Sequence, residues 1–129
     1  MGIENILDYR TIAVVGISDD PARPSNFVAR FLEEHGYKII PVNPKLTEWE
    51  GKKCYPDLLS IPVGVDIVDI FRRSEAVPPI VDEVIAIKAK VVWMQEGIIN
   101  EDAASKARKA GIEVVMDKCL KTEYILKKL

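Results

Sequence analysis

The chain has 129 residues, 48% of them hydrophobic and 29% charged, which is enough for one buried core and argues against a disordered tail. Eighteen basic against twenty acidic residues leave a formal charge of −2, so no global field draws in nucleic acid or an anionic membrane, and any anion must be caught locally. Two cysteines, Cys54 and Cys119, and one histidine, His35, exclude a secreted disulfide framework and leave a metal site without its usual ligands.

One domain over residues 1–129 is expected. Its expected place is the cytoplasm, since no run approaches the ~18 apolar residues of a spanning helix and Met1-Gly2-Ile3-Glu4-Asn5 lacks a basic stretch before an apolar one.

Short apolar runs alternate with helical patterns along the chain. The first predicted strand, 11–15, runs into Gly16, and Phe27, Val28, Phe31 and Leu32 then mark an amphipathic helix that Gly36 stops. A second strand, 38–42, runs into Asn43-Pro44. Residues 45–64 are the least regular, with one turn of helix expected near Asp57-Leu58-Leu59. The third strand, 65–70, ends at Phe71-Arg72. Ser74 is a plausible N-cap for a helix that holds Pro78 and Pro79 in its first turn and Ile80, Val81, Val84 and Ile85 on its apolar face. The fourth strand, 91–94, ends at Gln95-Glu96-Gly97. Asn100 then caps a helix with Glu101 and Asp102 at its start and Lys106, Arg108 and Lys109 at its end, charges that complement the helix dipole. The fifth strand, 112–116, ends at Asp117, and a tail helix from about residue 122 carries Ile125, Leu126 and Leu129.

Apolar strands separated by helices predict an α/β fold, a doubly wound Rossmann-like domain with a five-stranded parallel sheet. Such sheets bind ligands beyond the carboxyl ends of their strands, so the strand exits carry the functional reading. Dinucleotide sites use GxGxxG at the first exit and an acid after the second strand. This chain has Gly16-Ile17-Ser18-Asp19-Asp20-Pro21, with one glycine, and Asn43-Pro44 in place of the acid. Arg23-Pro24-Ser25 before the first helix offers a guanidinium, a hydroxyl and free helix N–H groups, a phosphate cradle of another kind. Ser25 as a plain N-cap and Arg23 as a solvated charge is the structural alternative. Lys45 puts a cation where a carboxylate would hold a ribose, which suits a phosphorylated ribose such as that of NADP or coenzyme A. Phe71, Arg72 and Arg73 add an aromatic face and two cations, though both arginines also suit a surface role. Met94, Gln95, Glu96 and Gly97 close the fourth strand with an amide able to read a ligand edge; a simple glycine turn is the alternative there.

Catalytic and signalling readings are weaker. His35 is expected at the far end of the sheet from the strand exits, Ser18 has no visible base, and Asp66 and Asp69 alternate along a strand instead of converging. Asp19-Asp20, Asp69 and Lys118 imitate the acidic set of a receiver domain, but their offsets from the strand ends do not assemble a magnesium site. Cys119, beside Lys118, is a better-placed thiol, and a buried free cysteine is its structural alternative.

Several segments together resemble a known family: Val14-Val15-Gly16-Ile17-Ser18, Pro21-Ala22-Arg23-Pro24-Ser25, 36–44, Gly51-Lys52-Lys53-Cys54-Tyr55, Val68-Asp69-Ile70-Phe71-Arg72, Trp93-Met94-Gln95-Glu96-Gly97 and Met116-Asp117-Lys118-Cys119. In order, over nearly the whole chain, they are similar to the small stand-alone CoA-binding proteins and to the N-terminal domain of the succinyl-CoA synthetase α subunit. The resemblance implies a cytoplasmic protein that binds CoA or acyl-CoA. Gly16, Ile17, Ser18 and Asp19 would line the nucleotide, with Arg23, Pro24 and Ser25 at phosphate. Asn43, Pro44 and Lys45 would contact CoA, Phe71 and Arg72 would flank the adenosine, and Met94, Gln95, Glu96 and Gly97 would border its other side. The glycine-richer loops of the synthetase and its second domain with a phosphorylated histidine are absent. Binding without evident catalytic machinery is therefore expected, with a homodimer or an enzyme as possible partner. An NAD(P)-binding redox enzyme or sensor on the same fold is the alternative, and a mixed disulfide between Cys119 and CoA is a third reading.

Overall fold

The computed structural model describes residues 2–129. Its central sheet is parallel throughout and built from β1 (Thr11–Val15), β2 (Lys38–Val42), β5 (Ile67–Ile70), β6 (Val91–Met94) and β7 (Glu113–Val115), in the order β2-β1-β5-β6-β7. The remaining strands, β3 (Glu48–Trp49) and β4 (Lys52–Lys53), form a small antiparallel hairpin. β1 is thus flanked by β2 on one side and β5 on the other. The chain reverses its direction of winding there, and such a switch point opens a crevice between the loops that leave the two strands.

Alternation along each strand divides the core in two. Ala13, Val15, Val68, Ile70, Val92 and Met94 face one layer, with α3 (Val77–Ala86) and α4 (Glu101–Lys109) packed on it through residues such as Val81, Val84, Ala104 and Ala107. Ile12, Val14, Ile67, Val91 and Trp93 face the other, against Val28, Ala29 and Leu32 of α2 (Pro24–Glu34) and Leu120 of α5 (Leu120–Lys127). Strands buried on both faces must be apolar almost without interruption, which is why they read as runs in the sequence.

Helix termini follow their local chemistry. The Asn100 side chain accepts the Ala103 N–H at the start of α4, whose first turn carries Glu101 and Asp102 and whose last turn carries Lys106, Arg108 and Lys109. α2 begins with Pro24 at its first position, and Arg23 is the N-cap without a side-chain cap bond, so Ser25 lies inside the helix. Ser74 opens a 3₁₀ turn, Ser74–Ala76, ahead of α3, and its hydroxyl accepts the Ile99 N–H in place of capping its own helix. His35 follows the end of α2, at the opposite end of the sheet from the strand exits as expected.

Two expectations need correction. The turn of helix near Asp57 is not formed; that stretch is a turn, with Asp57 Oδ1 accepting from Ser60. The irregular 45–64 segment contains the β3–β4 hairpin, joined by Glu50 and Gly51 with φ of 48° and 78°. Both central residues are left-handed, as a type I′ turn requires. A short helix, α1 (Ile3–Ile6), precedes the first strand, and Ile6 and Leu7 cover the edge of the core.

Candidate functional site

Glycine 16 is the pivot of the crevice. It leaves β1 at φ +86°, and a Cβ built there would lie 2.7 Å from the Phe71 carbonyl oxygen and 2.9 Å from Arg72 Cδ. Only glycine lets the β1 and β5 exits approach this closely. The next residues are pinned from behind. Asn43 Nδ2 donates to the Ile17 carbonyl at 2.7 Å, while Asn26 Nδ2 and the Trp49 indole N–H both donate to the Ser18 carbonyl, at 2.8 and 3.0 Å. The missed hairpin has a purpose here, because it carries Trp49, 2% exposed, under the Ser18 loop.

In front of this loop lies a cavity of about 740 Å³, within the size range of small-molecule sites. Gly16, Ser18, Arg23, Pro24, Ser25, Phe71, Arg72, Gln95, Glu96 and Gly97 line it together, so the structure gathers ten of the sequence candidates on one surface. The N-terminus of α2 opens onto this cavity, with no acidic residue in its first turn and no side-chain cap. Its Ser25 N–H and the helix dipole favour an anion there, since Pro24 has no N–H and the Asn26 and Phe27 N–H groups both donate to the Arg23 carbonyl. Arg23, Arg72 and Arg73 are exposed around the same space. Gln95 is buried, and its side-chain oxygen accepts the Leu120 N–H at 3.1 Å, which leaves the amide nitrogen as its group for a ligand.

The other six candidates lie outside the cavity lining. Ile17 and Met94 are wholly buried core residues. Asp19, Pro44 and Lys45 are exposed on the adjacent loops. Asn43 is a tie between loops, since its Oδ1 accepts the Lys45 N–H while its nitrogen holds Ile17. Conversely, Phe27, Val28, Ser74, Glu75, Ile98 and Cys119 line the cavity, although sequence periodicity explained most of them as helix or turn residues. Phe27 gave the clearest overlooked signal, being an aromatic in the first turn of a helix that points at the strand exits; it is 42% exposed.

Two titratable groups at the site have distinct environments. Asp69 is fully buried on β5, between Val14 of β1 and Trp93 of β6, and neither carboxylate oxygen has a hydrogen-bond partner. Burial, with a smaller contribution from nearby Cys119, pushes its carboxyl well above the ordinary range. Cys54 is buried behind the β2 exit, its thiol donating towards the Asn43 carbonyl, and burial pushes that thiol up. Among the described residues, no cluster of three or more histidine, cysteine or acidic side chains could hold a metal ion, and no helix is long and apolar enough to cross a membrane.

A family model for a CoA binding domain matches residues 10–125. The chain belongs to the CoA-binding domain family. The Bacillus subtilis protein YneT is 41% identical over 119 residues, covering 92% of this chain and 88% of YneT. The ADP-forming acetate–CoA ligase I of Archaeoglobus fulgidus is 27% identical over 128 residues; the match takes in 92% of this chain but 19% of the ligase. Among solved structures, the Thermus thermophilus protein cell-free ID.343 superposes with a TM-score of 0.92 at 38% identity, covering 96% of this chain and 95% of that one. This CoA-binding domain therefore has relatives of similar length and others in which the matching segment is about a fifth of a ligase.

Proposed function

We propose that the protein binds coenzyme A, free or acylated, across the β1 and β5 exits, with its pyrophosphate at the N-terminus of α2. The observation that carries this reading is a helix start without a side-chain cap and three arginines around one cavity, at the glycine that leaves no room for a Cβ between the β1 and β5 exits. Helix N–H groups and guanidinium forks both suit phosphate oxygens. Phe71 offers a partly exposed ring at the same place for an adenine face. Family membership supports the same ligand, and the acetate–CoA ligase among the relatives suggests that an acyl-CoA enzyme is a fitting partner.

Lys45 is assigned to the 3′-phosphate. It is exposed on the β2 exit loop, which Asn43 ties to the loop that follows β1. NAD is the less favoured because Asn43 stands where a ribose-binding acid would be, its side chain committed on both sides, and NADP because the β1 exit has one glycine, Gly16, where a dinucleotide loop carries GxGxxG.

Calorimetric titration with CoA, dephospho-CoA, NAD and NADP tests the proposal. Tightest binding is expected for CoA, with dephospho-CoA weaker and Lys45→Ala narrowing the gap between them. Equal affinity for CoA and dephospho-CoA would refute the 3′-phosphate assignment, and preference for NAD or NADP would refute the ligand.

A further inference from the structure

The central sheet has two edges, and the chain treats them differently. β2 carries Pro41 and is covered by the segment after the hairpin, where the Tyr55 N–H donates to the Pro41 carbonyl at 3.0 Å and the Asn43 N–H to the Tyr55 carbonyl at 2.9 Å. β7 is paired on one side only, with β6. The Glu113 N–H donates to the Lys90 carbonyl at 3.1 Å. By alternation Glu113 and Val115 turn their peptide groups to β6, while Val114 turns both its N–H and its carbonyl away. β7 holds no proline and no lysine, the residues with which sheets commonly blunt an open edge.

That edge opens into a cleft of about 450 Å³. Ile3 and Ile6 of α1 wall it on one face of the sheet, and Arg108, near the end of α4, on the other. Glu113 lines the same cleft. Among the described residues neither Arg108 nor Glu113 has an ion-pair partner. One free acid and one free cation therefore stand beside an unpaired peptide group, and none of these residues lines the cavity at the strand exits.

We propose that β7 is the interface for a second copy of this chain, the two β7 strands pairing antiparallel about a two-fold axis at Val114. The inference goes beyond the CoA reading and does not depend on it. A residue that turns both backbone groups outward is self-complementary under such an axis: each Val114 N–H donates to the other copy's Val114 carbonyl. The two five-stranded sheets become one, with α1 beside α1 on one face and α4 beside α4 on the other. Around the axis stand equal numbers of carboxylates and guanidinium groups, a balance that suits a second copy better than an acidic or a basic peptide. A lone extended peptide would gain few bonds from one outward residue, whereas a second copy also brings its own cleft walls. The two copies' strands run in opposite directions, so their CoA cavities open at opposite ends of the joined sheet and stay accessible.

Sedimentation velocity from about 1 μM to 1 mM protein, which spans micromolar to millimolar dissociation constants, tests the interface. A monomer–dimer equilibrium is expected, and a monomer throughout would overturn the proposal. Arg108→Glu leaves only carboxylates around the axis and Glu113→Arg only guanidinium groups, so each should weaken the dimer by at least about tenfold. The double variant restores the balance and should restore the dimer. A dimer indifferent to both single reversals, or not recovered in the double variant, would overturn the assignment. Val114→Pro removes an N–H that no β6 carbonyl receives, a change edge strands tolerate, and it should leave a monomer; a persisting dimer would contradict the axis. The Arg108 and Glu113 variants alter exposed and half-buried side chains, so they keep the test decisive should the proline variant not fold. In the parent, hydrogen exchange at the Val114 amide should slow as the dimer forms, and exchange independent of concentration would overturn the pairing.

Discussion

Replacing Gly16 with alanine should damage the protein through two separable effects. The residue sits at φ +86°, and left-handed backbone costs a residue with a Cβ about 1–2 kcal/mol. The new Cβ would also lie 2.7 Å from the Phe71 carbonyl oxygen. That oxygen belongs to backbone which cannot swing aside cheaply, because the Phe71 N–H donates to the Val15 carbonyl at 2.9 Å. Forcing extra volume into such a contact costs about 1–3 kcal/mol, for a combined loss of roughly 2–5 kcal/mol. Gly97→Ala is the matched control. Its φ is +85° but a Cβ there meets nothing within 4 Å, so it should lose only the conformational share, roughly 1–2 kcal/mol. With a urea m-value of about 1–3 kcal/mol/M for a chain of this size, the midpoint of Gly16→Ala should fall below that of Gly97→Ala by on the order of 1 M. Equal midpoints would refute the claim that the β1 and β5 exits approach too closely for a side chain.

Arg23→Ala and Arg72→Ala should each weaken CoA binding by about 1–3 kcal/mol if each loses a charge-assisted bond, read by calorimetry; unchanged affinity in both would remove the phosphate cradle. For Asp69, the raised carboxyl means that the folded state keeps a proton which the unfolded chain releases above about pH 4. Stability should therefore fall as the pH rises from there through the folded value, and Asp69→Asn should lack that fall and be more stable than the parent at neutral pH; parallel urea midpoints against pH for the two proteins would contradict it. Trp49→Phe should cost on the order of 1 kcal/mol by removing a donor from the Ser18 carbonyl, and it should lower CoA affinity as well, because that carbonyl belongs to the loop at the cavity. Loss of stability with CoA affinity intact would separate the hairpin from the site.

The central sheet was legible because each of its strands is buried on both faces and so leaves an apolar run in the sequence. Its polar exits then marked the site, and Gly16, Arg23, Phe71 and Gln95 do share one cavity. The β3–β4 hairpin was hidden for a local reason. Its strands are two residues long, too short for a period, and its turn uses Glu50 where an asparagine or aspartate usually announces a left-handed pair. Asn43 and Lys45 show a different limit. Their residue types suggested ligand contacts, but only the fold reveals that Asn43 spends its side chain holding two loops together. Asp69 was read as one acid in an alternating strand. That alternation gives its face, whereas its complete burial depends on Trp93 and Val14 lying beside it across the sheet, which the sequence does not state.

The most direct test of CoA binding at the β1 and β5 exits is an amide chemical-shift titration of the labelled protein with CoA. The shifts should concentrate in residues 16–25, 71–75 and 95–98, around the cavity, and at Lys45 on the β2 exit loop, and should spare Ile112, Glu113 and Val114, which line other clefts at the opposite end of β7. Absence of shifts, or shifts centred on residues 111–115, would contradict the account.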